Sequence, residues 1–148
     1  MSRRLIDVSH VVRDGLVTYP GLPSPAIRDH LSRAASREHY APGTEFQIGA
    51  IEMVANTGTY VDVPSHRFPT GFDLSQLPLE AVADLEVVMV RVRRAAERAI
   101  GAEKFLGLDL TNRAVLIHTG WDMHWETPEY ASGHPFVTRE GEIGRAHV

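Results

Sequence analysis

Asp62 and His66 flank Pro64, so one bend in the chain would set a carboxylate beside an imidazole. An imidazole takes up and releases protons near neutral pH, and a neighbouring carboxylate orients the ring and favours its cation. The two residues close the run Asn56-Thr57-Gly58-Thr59-Tyr60-Val61-Asp62-Val63-Pro64-Ser65-His66. If that run is extended, Asn56, Gly58, Tyr60, Asp62, Pro64 and His66 share one face, with Tyr60 and Asp62 roughly 7 Å apart. Gly58 permits a turn or a close backbone approach, and Pro64 has no N–H to give to a sheet ladder, so regular pairing should end there. A bend after Pro64 then returns His66 towards Asp62. Taken alone, Asp-x-Pro-x-His also fits a turn that carries a surface histidine.

Strands with short helices and long loops are expected to position this segment. Leu5–Val8 reads as a first strand. The prolines and glycine of Thr18-Tyr19-Pro20-Gly21-Leu22-Pro23-Ser24-Pro25 exclude regular structure. Phe46–Val54 alternates apolar residues and then changes phase, which fits a strand with a bulge near Gly49 that runs directly into Asn56. Asp73 with Gln76 three residues on predicts a capped helical turn before Pro78. Leu85–Val92 and Ala114–His118 are rich in β-branched residues and read as buried strands. Arg93–Ile100, rich in Ala and Arg, reads as a helix stopped by Gly101.

Composition bounds the function classes. The 148 residues are 43% hydrophobic and 23% charged, enough for one core and hardly for two. The formal net charge of -4 gives no general attraction to nucleic acid or an anionic membrane. Arg91, Arg93, Arg94 and Arg98 cluster without aromatic interleaving and read as a solvated face. With no cysteine there are no disulfides and no thiolate metal sites. No run approaches the roughly 20 apolar residues that cross a bilayer, and the first residues lack a signal-peptide core, so a cytoplasmic protein is expected.

The run from Asn56 to His66 resembles the signature of the cyclase family of metal-dependent hydrolases, which includes kynurenine formamidase and isatin hydrolase. That signature reads His-x-Gly-Thr-His-x-Asp-x-Pro-x-His, and Asn56 and Tyr60 stand where it has its first two histidines. Further likenesses follow in order. Ile6-Asp7-Val8-Ser9-His10 is similar to the family's first strand, and Tyr19-Pro20-Gly21 to a loop before its active site. Arg67 to Leu74 and Leu77-Pro78-Leu79-Glu80 follow the signature as in the family. Val115 to Asp122 resembles a strand ending in a Thr-Gly-Trp corner, and Gly133-His134-Pro135 a later loop.

The resemblance implies an α/β fold in which a mixed β-sheet is flanked by helices, of the swivelling β/α/β kind, assembled as a homodimer or homotetramer. It also implies hydrolysis of a small amide or lactam by water activated on one or two divalent metals (Mn, Mg or Zn), with Asp62 as metal ligand or water-orienting carboxylate and His66 as acid/base. An asparagine oxygen at position 56 suits Mg²⁺, Mn²⁺ or Ca²⁺ better than Zn²⁺, and the Tyr60 phenol rarely replaces imidazole. Zinc held as in typical members is therefore not expected; Asp62 with Asn56 forms the remaining metal set. Tyr60, Tyr19, Trp121 and His124 are candidates to line a substrate pocket.

The family continues past Arg139-Glu140 with further ligands, whereas this chain runs on as Gly141-Glu142-Ile143-Gly144-Arg145-Ala146-His147-Val148. The run from Glu142 is also what a common short-read sequencing adapter yields in one reading frame. Residues 1–140 are accordingly expected to form one cyclase-like domain, the N-terminal two thirds of the fold, and 141–148 a non-native tail. Three functions stay open: an amide hydrolase, a metal-independent hydrolase or lyase of the same fold, and a non-catalytic small-molecule binding protein.

Overall fold

The computed structural model describes residues 4–92 and 98–146. Two compact units divide the chain, Met1–Val61 and Asp62–Val148, and the boundary falls inside the run that carries the chemistry.

In the first unit, Leu5–Val8 is not a strand but irregular, exposed chain. Its apolar residues find no ladder partner, so β propensity alone does not make them a strand. The Asp14–Gly15 turn follows, with Gly15 at φ 71°. Its backbone N–H donates to Pro25 O at 2.9 Å, while Asp14 Oδ1 accepts the Ile27 N–H at 2.7 Å. A second turn runs from Tyr19 to Leu22, whose N–H reaches Tyr19 O at 3.2 Å. Pro20 presets its first central position and Gly21 supplies φ 90° at its second.

Strand β1 (Ala26–Leu31), helix α1 (Arg33–Arg37) and strand β2 (Ile48–Glu52) come next. β1 and β2 are antiparallel, and a register shift between Asp29 and Leu31 leaves His30 out of the ladder. The predicted bulge thus lies in β1, opposite Gly49 rather than in Gly49's own strand. Ser32 caps α1 by accepting the Ala35 N–H at 3.2 Å. Fully buried Ser36 donates to Arg33 O at 2.8 Å and accepts the Phe46 N–H at 3.0 Å. That pair of bonds ties the α1–β2 connection back onto the helix.

In the second unit, β3 (Val87–Arg91) lies parallel to β5 (Ala114–His118), with Val87 opposite Ala114 and Arg91 opposite His118. β4 (Ala99–Ile100) lies parallel to β6 (Phe136–Val137), and α2 spans Arg139–Ala146. Parallel ladders beside helices make this an α/β protein with strands of both directions. The sheet expected as one is three two-stranded ladders among the described residues.

The core gathers Val90, Val92, Ile100, Phe105 and Leu110, with Val88, Leu108, Val115, Ile117 and Val137 packed against them. β3 is not buried on both faces as expected. Val88 and Val90 turn inward, whereas Val87 and Met89 are exposed. A run of β-branched residues therefore signals a strand without saying how many of its faces are covered. Of the helix expected over Arg93–Ile100, residues 93–97 lie outside the described residues. Ala99 and Ile100 are strand, because fully buried Ile100 pairs with Val137 and tertiary packing outweighs alanine's helical preference. No helix among the described residues is long and apolar enough to cross a membrane.

Candidate active site

Pro64–His66 forms a single 3-10 turn with Pro64 at its first position. The missing N–H costs nothing there, and the proline's fixed φ starts the turn. The His66 N–H donates to Val63 O at 3.0 Å, and the Arg67 and Phe68 N–H groups both donate to Pro64 O, at 3.1 and 2.9 Å. This bend carries the His66 ring back over Asp62, and Nδ1 lies 3.8 Å from Asp62 Oδ1. The distance suits an ion pair once the ring is protonated and is too long for a hydrogen bond. Asp62 Oδ1 also accepts the Val63 N–H at 2.9 Å, which fixes the carboxylate. Both side chains are half exposed, His66 at 50% and Asp62 at 49%.

A return segment braces the turn. The Ser65 N–H donates to Phe72 O at 3.1 Å and the Gly71 N–H to Phe68 O at 2.8 Å. Immediately beyond, Asp73 caps the 3-10 turn Leu74–Gln76 in a reciprocal capping box. The Ser75 hydroxyl and then its backbone N–H hold the Asp73 carboxyl below the usual range.

The first half of the motif folds otherwise than expected. Residues 55–59 bend instead of continuing β2, and Gly58 sits at φ 65°, so the strict alternation from Asn56 to His66 does not hold. A left-handed residue breaks the period on which that shared face depended. Buried Thr57 donates its hydroxyl to Val54 O at 2.7 Å, and Thr59 Oγ1 accepts the His10 N–H at 3.3 Å. Asn56, Tyr60 and Tyr19 all belong to the first unit; Tyr60 and Tyr19 are exposed.

Trp121 and His124 open and close another 3-10 turn in the second unit. Their ring centroids lie 4.4 Å apart with the planes tilted by 45°. Glu126 at φ 62° swings the chain round so that Tyr130 O accepts the Trp121 indole N–H at 3.1 Å. Sequence reasoning missed Glu129 in this corner. Its own backbone N–H, then the Thr127 side chain and the charge of His124, hold its carboxyl below the usual range. The structure therefore brings together two pairs of predicted residues, Asp62 with His66 and Trp121 with His124.

Among the described residues, no three or more His, Asp or Glu side chains gather as a metal-binding group. Catalytic zinc takes three protein ligands. One carboxylate and one imidazole at Asp62 and His66 do not meet that requirement, and the amide of Asn56 does not supply the imidazole the signature has there.

Two comparisons with known proteins bear on this arrangement. A family model described as "Putative cyclase" matches residues 6–142. Cyclase-like protein 1 of Oryza sativa subsp. japonica is 30% identical over 83 residues, 52% of this chain and 28% of the rice protein. The matched stretch thus spans little more than a quarter of that curated relative's length.

Proposed function

This chain belongs to the cyclase family, and on that premise we propose that it hydrolyses a small acyl or cyclic amide through Asp62 and His66. The observation that carries the reading is the 3.8 Å approach of His66 Nδ1 to Asp62 Oδ1 across the Pro64 turn, with both groups open to a ligand. His66 takes a proton from water as its oxygen attacks the carbonyl carbon. Asp62 favours the resulting imidazolium. The imidazolium returns the proton to the departing nitrogen as the C–N bond breaks, leaving a carboxylic acid and an amine. Each step uses side chains of this chain and none runs through a metal.

The Trp121 and His124 rings, tilted by 45° to one another in the same unit as Asp62 and His66, offer aromatic surface against which an aryl or lactam ring can pack. The same proposal takes the fold to be of the swivelling β/α/β kind, and the parallel pairs β3–β5 and β4–β6 support it. A homo-oligomer is part of the same reading. β1–β2 is a two-stranded ladder with Ile27, Ile48 and Ile51 exposed, and such ladders are marginal without cover.

Hydrolysis of N-formylkynurenine and of isatin, followed spectrophotometrically with the unaltered chain and with His66→Ala, tests the proposal. Turnover that His66→Ala lowers at least about a hundredfold supports it. Turnover indifferent to His66, or ligand binding with no turnover, refutes it.

A further inference from the structure

We propose that Gly71 is the positioning residue of the Asp62–His66 pair, an inference that rests on reading that pair as the reacting groups. A β-carbon added to Gly71 would lie 2.6 Å from the Pro64 carbonyl carbon, 2.8 Å from Pro64 Cβ and 2.8 Å from the Ser65 nitrogen. Two of these atoms are backbone and the third belongs to a rigid ring, so no flexible side chain can swing aside. Gly71 is absent from the residues with positive φ, which makes the requirement one of space rather than of backbone conformation.

The contact point lies inside the turn that aims His66. Pro64 and Ser65 are the first two residues of that turn, and Ser65 is tied to the return segment through Phe72 O, next to Gly71. On the near side of Pro64, Asp62 Oδ1 accepts the Val63 N–H and Val63 O accepts the His66 N–H, so the same turn links the carboxylate to the imidazole. A displacement of the return segment that shifts Pro64 and Ser65 therefore changes the turn that sets the imidazole against the carboxylate. By comparison, a β-carbon at Gly49 would meet nothing within 4 Å, so Gly49→Ala is a matched control.

The test has one arm that needs no activity and one that does. In the unaltered chain, NMR should show cross-relaxation between the His66 ring protons and the Asp62 β-protons. Gly71→Ala should remove it while leaving the β3–β5 contacts unchanged, and Gly49→Ala should leave both unchanged. In turnover, Gly71→Ala should lower kcat by about 10²-fold, as expected for a misplacement near 1 Å, with KM unchanged. In a His66→Ala background it should cost nothing further. Retained His66–Asp62 cross-relaxation in Gly71→Ala, or an equal kcat loss in both backgrounds, overturns the inference. Absence of turnover in the unaltered chain sinks the hydrolase reading alone, because the NMR arm still decides whether Gly71 sets the pair. If Gly71→Ala does not fold, amide exchange at Ser65 of the unaltered chain decides: slowed exchange supports the brace and free exchange overturns it.

Discussion

Asp62→Asn and His66→Ala should differ sharply in effect, because the structure makes one residue act through the other. At 3.8 Å, opposite unit charges attract by about 1 kcal/mol in bulk water and by about 4 kcal/mol at an effective dielectric of 20. Both side chains are half exposed, so solvent screening places the pair at the low end of that range. About 1 kcal/mol of imidazolium stabilisation corresponds to about fivefold in rate. Loss of the acid/base itself costs about 10²- to 10⁴-fold. Steady-state kcat on the hydrolysed amide should therefore fall about fivefold in Asp62→Asn and at least a hundredfold in His66→Ala. Raising the salt concentration should bring the unaltered chain towards Asp62→Asn and leave that variant flat, since screening removes the same attraction. A loss in Asp62→Asn as large as that in His66→Ala would refute the reasoning. Asp62 would then touch the reacting atoms directly, and its distance from His66 would be incidental.

Three further outcomes follow from the fold. Phe105→Ala empties a fully buried position in the core of the second unit and should cost about 3 to 5 kcal/mol, read by denaturant unfolding. Gly58→Ala places a β-carbon 2.9 Å from Val12 Cγ2 at φ 65°. It should destabilise the first unit by about 1 to 2 kcal/mol, with unfolding followed at Tyr40 and Tyr60. The Asp73 carboxyl is held below its ordinary range, so the folded state favours its ionised form. Its contribution is present above the unfolded carboxylate range and is lost as pH falls through the lowered folded value. Unfolding titrations from pH 7 to pH 2 should show a slope that Asp73→Asn reduces.

What the sequence disclosed of the fold depended on whether local chemistry or distant packing decided each element. Asp73 and Gln76 form the expected capping box because both partners lie within one turn and need nothing else. Ala114–His118 is a strand over those five residues because its β-branched run agrees with its place beside β3. Leu5–Val8 carries a similar composition and forms no strand, since a strand exists only with a neighbour and no local signal specifies one. β1 is the converse. Ala-Ile-Arg-Asp-His-Leu has weak β propensity and carries no strand signal of its own, yet it pairs along β2 with Asp14 holding Ile27 at its start. At Ala99–Ile100 the alanines and arginines upstream suggest a helix, while burial of Ile100 against Val137 fixes an extended backbone.

The same division runs through the motif. Asp-x-Pro-x-His discloses its geometry because proline both ends the extended chain and starts a 3-10 turn, so the return of His66 towards Asp62 follows from backbone chemistry. The Asn56–Tyr60 stretch does not. The sequence shows that Gly58 permits a left-handed backbone, but only its φ of 65° shows that this freedom is used, and only the fold shows that an added β-carbon would meet Val12. Gly71 is more hidden still, since a glycine with negative φ has no conformational signature and its necessity lies wholly in the nearness of Pro64 and Ser65. For a site built on a turn, the reacting side chains can be read from their spacing. The residue that holds them in place becomes visible only once two segments of backbone are seen to touch.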